Sequence, residues 1–221
     1  IKHPYFAHPF YASLAAHPRI MAALTPLLGE DIRLRTGGKV NLKSAGDGAA
    51  IEWHQDWAFY PHTNQSVLAV GILLDDMGPD NGPLMVLPGS HTGPVHDHHA
   101  DGAFCGAVDI RAAGLDLSGA RELHGRAGAI TIHHARLLHG SAVNRSARSR
   151  RILFYVYAAA DAWPLAGVPD LAAFDGMMMQ GRTTLEPRLE PVPVRMPLPR
   201  APNQGSIYEN QLTLENRYFG N

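Results

Sequence analysis

Cysteine is almost absent from this chain. Cys105 is the one example in 221 residues, so no intrachain disulfide can form and no zinc site built on several cysteines exists. A reducing cytoplasm is the expected compartment. Long apolar runs are also missing: none approaches the about 18 residues that cross a bilayer. Neither sign of charge dominates. Nineteen Lys and Arg face twenty Asp and Glu, and the net charge of −1 offers no overall field to draw nucleic acid or an anionic membrane surface. Neither a signal peptide nor a peroxisomal or prenylation pattern is visible, and no internal repeat is found.

What remains is an ordinary globular composition, 45% hydrophobic and 18% charged, long enough for a single domain with a sizeable core. Leu14, Met21, Leu24, Leu27 and Leu28 recur at helical spacing, with Pro18 and Pro26 limiting the segment to short helices and Gly29 as a stop. Residues 32–43 alternate around Gly37-Gly38 and read as a hairpin or two short strands. Further β-type segments are expected at 66–74, 84–87, 129–138 and 152–158, with a short strand near Val108–Ile110. The expected layout is N-terminal helices over 1–30, a β core over 31–158 carrying a polar insertion at 91–128, and a tail over 159–221. Many short, turn-separated β segments with flanking helices point to a β-sandwich or double-stranded β-helix of the jelly-roll, cupin-like kind.

Thirteen histidines are many for this length, and their spacing carries the chemistry. In Trp53-His54-Gln55-Asp56 an extended chain turns His54 and Asp56 to the same side. An imidazole and a carboxylate so placed, with a second imidazole from a distant strand, form the facial set of non-haem iron(II) oxygenases, which leaves three positions open. Spacing leaves His133, His134 and His139 as candidates for that third ligand; on a regular strand His133 and His139 share a side and His134 faces the other. A rival cluster, His96-Asp97-His98-His99, reads as a solvated loop.

Four blocks then resemble the phytanoyl-CoA dioxygenase family: Trp53-His54-Gln55-Asp56-Trp57; Asn81-Gly82 through Pro88-Gly89-Ser90-His91; His139-Gly140-Ser141 with Asn144; and Arg150, eleven residues after His139. Order and spacing agree over roughly residues 39–158. The resemblance implies a double-stranded β-helix, Fe(II), 2-oxoglutarate as co-substrate, dioxygen, and hydroxylation of a small molecule with release of succinate and carbon dioxide. It assigns His139 as the third ligand beside His54 and Asp56, and places His134 on a neighbouring wall. It gives Arg150 and Ser141 to the distal carboxylate of 2-oxoglutarate, and brings Asn41 and Lys39 near the same co-substrate. A guanidinium suits that task because it pairs bidentately with a carboxylate. Arg151 points to the opposite face of the strand and is expected at the surface. Tyr60 is expected to line the co-substrate site, and Trp53 and Trp57 to belong to core or wall. A carboxylate at position 56 favours hydroxylation over halogenation, since related halogenases leave that position empty. Substrate choice is expected from residues 91–128 and from the tail beyond Ala162. The readings set against this one are a cupin-like metal enzyme that does not use 2-oxoglutarate and a non-catalytic metal- or ligand-binding relative.

Overall fold

Ten residues, Arg150–Ala159, organise the molecule. In the computed structural model, which describes residues 1–46, 48–200 and 205–219, they form the longest strand. Ahead of it come helices α1 (Pro4–Ala7), α2 (Pro9–Ala15) and α3 (Pro18–Leu28), then strands β1 (Ile32–Leu34), β2 (Lys39–Lys43), β3 (Ile51–His54), β4 (Val67–Leu73), β5 (Leu84–Val86), β6 (His99–Ala100), β7 (Ala103–Phe104), β8 (Arg121–Leu123), β9 (Ile130–His134) and β10 (His139–Ser141). The long strand is β11; α4 (Leu171–Asp175), β12 (Met178–Gln180) and α5 (Ile207–Asn210) follow it.

One sheet has the order β12-β1-β11-β4-β9, with β2 pairing β11 as well. The second has the order β3-β10-β5-β8, and β6-β7 form a separate ribbon. Every paired strand is antiparallel. The result is mainly β with few helices, a jelly-roll of two sheets. Of the two readings of 32–43, two short strands rather than a hairpin form, both on one partner: β1 pairs Tyr157–Ala159 and β2 pairs Arg150–Phe154. No strand forms at Val108–Ile110, where Val108 N–H donates to the Trp53 carbonyl and the chain then turns.

The two faces of β11 separate core from cavity. Leu153, Tyr155 and Tyr157 face the helices and pack with Leu68, Val70 and Ile72 of β4 and with Ile20, Met21, Leu24 and Leu28 of α3. That helical stripe begins at an N-cap, where His17 Nδ1 accepts the Arg19 N–H, with Pro18 in the first turn. Pro26 does not end α3. It lies in the last turn, and the helix closes at Gly29, whose φ of 88° suits glycine. Full burial of Leu24 stabilises by roughly 1.5–3 kcal/mol. The alternate residues Arg150, Ile152, Phe154 and Val156 line a cavity between the sheets.

The tail returns to both sheets. β12 adds an edge to β1. Gln211 accepts the Glu52 N–H at 2.9 Å, and the Tyr218 and Phe219 N–H groups donate to the Glu52 carboxylate at 2.8 and 3.2 Å. Phe219 stacks on Trp53, which is fully buried beside Leu138. These contacts fix β3, the strand that ends in His54.

Candidate metal centre and co-substrate pocket

β3 ends at His54, and Gln55 continues in extended backbone (φ −117°, ψ 125°) before a 3-10 turn begins at Asp56. The period-two geometry therefore survives past the strand end, and His54 and Asp56 share a side. His139 on β10 is the cross-strand partner of His54, with ring centroids 4.1 Å apart. One ligand atom from each of His54, Asp56 and His139 lies within 4.8 Å of the others, the only such group among the described residues.

Each imidazole is oriented by its own chain. His54 Nδ1 lies 2.8 Å from the Glu52 carbonyl and His139 Nδ1 2.8 Å from the Leu137 carbonyl, so each Nδ1–H donates backwards and each Nε2 lone pair faces inward. Those Nε2 atoms stand 3.8 and 3.9 Å from Asp56 Oδ1. The other carboxylate oxygen, Oδ2, accepts the Tyr60 hydroxyl at 2.6 Å. Burial pulls the His139 imidazole down to about 4 and that of His54 well below its usual value, so both are neutral and available as ligands near pH 7. Burial alone would raise the Asp56 carboxyl, but His133, His139, His54 and Lys39 around it hold it well below the ordinary range. Two neutral imidazoles and one carboxylate are the donor set that a ferrous ion takes.

Gln55 locks the loop between the two ligands. Its side-chain N–H groups donate to the Pro94 and Arg136 carbonyls, its Oε1 accepts from His96 N–H, and its own N–H donates to His98 Nε2 at 2.8 Å. His98 is thus a buried structural acceptor, and the His96–His99 stretch joins no metal cluster among the described residues. Ser90, from the Pro88-Gly89-Ser90 turn, accepts the Leu138 N–H at 2.9 Å and steadies the approach to His139.

Lys39, Asn41, Tyr60, Ser141 and Arg150 all line one cavity of about 600 Å³ that includes the three metal-type residues. Arg150 is buried, and its guanidinium donates to the Gly82 carbonyl while Nε has no partner. Burial draws it down to about 10, so it stays charged. Gly82 has φ 69°, and a Cβ there would lie 2.6 Å from the Ala142 carbonyl, so glycine is required where the backbone meets Arg150. Arg151, one residue on, is exposed and pairs bidentately with Asp75 at 2.6 and 2.9 Å. Lys43, opposite Arg150, donates to the Ala49, Ser141 and Ala142 carbonyls and ties β2 to the strand that carries His139.

Two expectations change and one is refined. His134, assigned by the resemblance to the wall, pairs with Leu68 on the outer face and packs against His91. The wall residue is His133, which pairs with Ala69 and lies 3.8 Å from Asp56 Oδ2 through Nε2. Tyr60 lines the cavity, yet its hydroxyl is taken up by Asp56. No residue of 91–128 lines the cavity; residues 1–3, the turn before β2 and, from the expected tail, Gly205 to Tyr208 and Asn210 line it instead. Arg35 and Tyr208 were missed by the sequence reading and also line it. No spacing pointed to Arg35, which lies just past β1 and donates its N–H to the Val156 carbonyl, or to Tyr208 within the tail.

A buried facial set of two histidines and a carboxylate, in a jelly-roll and beside a buried arginine, defines the class of mononuclear non-haem iron oxygenases. The family model for phytanoyl-CoA dioxygenase (PhyH) matches residues 3–152, and the chain belongs to that family. It is 40% identical over 223 residues to a probable alpha-ketoglutarate-dependent hypophosphite dioxygenase of Stutzerimonas stutzeri, covering 99% of this chain and 77% of that protein. It is 34% identical to the L-proline trans-4-hydroxylase of Streptomyces griseoviridis over 66% of this chain and 62% of that enzyme. The iron-bound crystal structure of EctD from S. alaskensis matches with a TM-score of 0.62 at 26% identity, over 88% of this chain and 66% of that one. The chain is thus an iron- and 2-oxoglutarate-dependent dioxygenase. No helix among the described residues is long and apolar enough to cross a membrane.

Proposed function

We propose that His54, Asp56 and His139 hold the ferrous ion, and that Arg150 and Ser141 receive the distal carboxylate of 2-oxoglutarate. Asn41 and Lys39 complete the near wall on the same face of β2. The reaction is oxygenation of a small polar molecule, in which substrate, dioxygen and 2-oxoglutarate give hydroxylated product, succinate and carbon dioxide. The bound iron supplies the redox chemistry that couples the decarboxylation to the oxygenation. The protein's share is placement. Nε2 lone pairs are turned inward by backbone carbonyls, one oxygen of Asp56 is reserved by Tyr60, and a charged guanidinium waits at the far end of the cavity.

The observation that carries this reading is the shared cavity: the His-Asp-His set and the buried, half-unpaired Arg150 open into the same space. An enzyme using the metal without a keto-diacid would have no use for that cation. The substrate is a small molecule rather than a nucleic acid, and the work is placed in the cytoplasm. Ferrous enzyme supplied with 2-oxoglutarate and air should form succinate slowly alone and faster with substrate, with hypophosphite and L-proline the first two to try. Absence of any iron-dependent succinate would overturn the reading.

A further inference from the structure

Arg150 is not the only cation that faces this cavity without an acidic partner. Arg35, just past β1, also lines it, and among the described residues its guanidinium makes neither an ion pair nor a hydrogen bond. It lies flat over the Tyr60 ring, 3.9 Å from the centroid. Lys39 lines the same wall, likewise without a partner among the described residues. His133 is 4% exposed, and both of its ring nitrogens are buried with no hydrogen-bond partner. A buried imidazole left unpaired is destabilising unless something arrives to satisfy it.

Arg35 and His133 flank one point. Tyr60, beneath Arg35, donates to Asp56 Oδ2, and His133 Nε2 faces that same oxygen at 3.8 Å, too far for a hydrogen bond. They also stand away from Arg150. Arg35 N–H bonds to the Val156 carbonyl, six residues along β11, which is roughly 20 Å of strand. A five-carbon diacid, with four C–C bonds of about 1.5 Å, reaches only about 6 Å. The two arginines are thus rooted well apart along β11, farther than the length of the co-substrate.

Charge points the same way. Asp56 is the only acidic side chain on the cavity wall among the described residues. A ferrous ion, Asp56, Arg150 and doubly charged 2-oxoglutarate would cancel one another, which leaves three lining cations, Lys2, Arg35 and Lys39, and of these Lys2 lies near Glu209. We propose that Arg35 and His133, with Lys39 adding positive field, form the recognition site for the primary substrate, and that this substrate is a small oxyanion. The proposal deepens the function given above and rests on it. Arg35 supplies the fork and His133 a directed N–H, so an acceptor oxygen between them is held beside the metal.

The test is anaerobic calorimetric titration of hypophosphite, and separately of L-proline, into enzyme loaded with Fe(II) and 2-oxoglutarate. Wild-type protein should bind hypophosphite saturably. Arg35→Gln and His133→Leu should each weaken it ten-fold or more, Arg35→Lys less, and Arg151→Gln, on the opposite face of β11, not at all. Thermal melts and iron content confirm that each variant is folded and loaded. The inference is overturned if wild-type enzyme does not bind hypophosphite, if L-proline binds more tightly than the anion, or if both cavity variants bind it as wild type does. Failure of the broader reading looks different: no succinate is formed however well the anion binds.

Discussion

The four-stranded sheet carries His54, His139 and Ser141; the six-stranded sheet carries Arg150, Asn41, Lys39 and His133. The first is built of strands three or four residues long, the second around a strand of ten. Short strands orient their histidines by local means, a backbone carbonyl two residues back and a locked glutamine between two ligands. The long strand needs none of this, since alternation alone decides which side chains reach the cavity. On the proposed roles, metal binding rests on the first sheet and anion binding mostly on the second, with Ser141 the exception. Damage to one should leave the other measurable.

The hardest blow to that division falls on the short strands. His54→Ala or Asp56→Ala should abolish ferrous-ion binding and, with it, the weak visible absorption that iron and 2-oxoglutarate give anaerobically. Retention of that absorption would refute the ligand assignment. Next comes Arg150→Ala on the long strand. It should weaken 2-oxoglutarate by roughly 3 kcal/mol, about 100-fold, with iron content unchanged. Loss of iron in this variant would show that the sheets are not separable. Tyr60→Phe touches the seam between them and should lower iron affinity or activity by about 10- to 100-fold, as loss of an outer hydrogen bond to a ligand does.

The last effect concerns pH and touches folding stability rather than either site. His98 is held neutral down to about 4 by burial, against 6.5 for the free group. The unfolded chain takes up that proton first, so stability falls as pH drops from 6.5 towards 4, by on the order of 3 kcal/mol. His98→Gln keeps an acceptor for the Gln55 N–H without the titration. Its melting temperature should fall less steeply than that of wild type between pH 7 and 4, and parallel curves would contradict this.

The strands at 67–73, 84–86 and 130–134, the His54-x-Asp56 pair and the opposed fates of Arg150 and Arg151 were legible in the sequence because they follow from period two and from motif order. Identification of the wall histidine failed because the family pattern pointed to position 134 while strand parity favoured 133, and parity prevailed. The pairing of β1 and β2 with one strand was hidden, since Gly37-Gly38 reads equally well as a hairpin turn. The tail beyond Ala162 was expected to take part, but Tyr208 as its lining residue was beyond reach, since local composition carries no trace of where a returning segment lands.

Tyr60 restrains Asp56 in a way that reaches beyond stability. A carboxylate free at both oxygens can swing to grip a cation with two teeth, and hard oxygen-loving ions such as calcium reward that grip. Here one oxygen is tethered by Tyr60, which would leave Asp56 a single free oxygen to offer a cation. The same tether lies under the Arg35 guanidinium, so any repacking of that ring to enlarge the substrate pocket would also change how the metal is gripped.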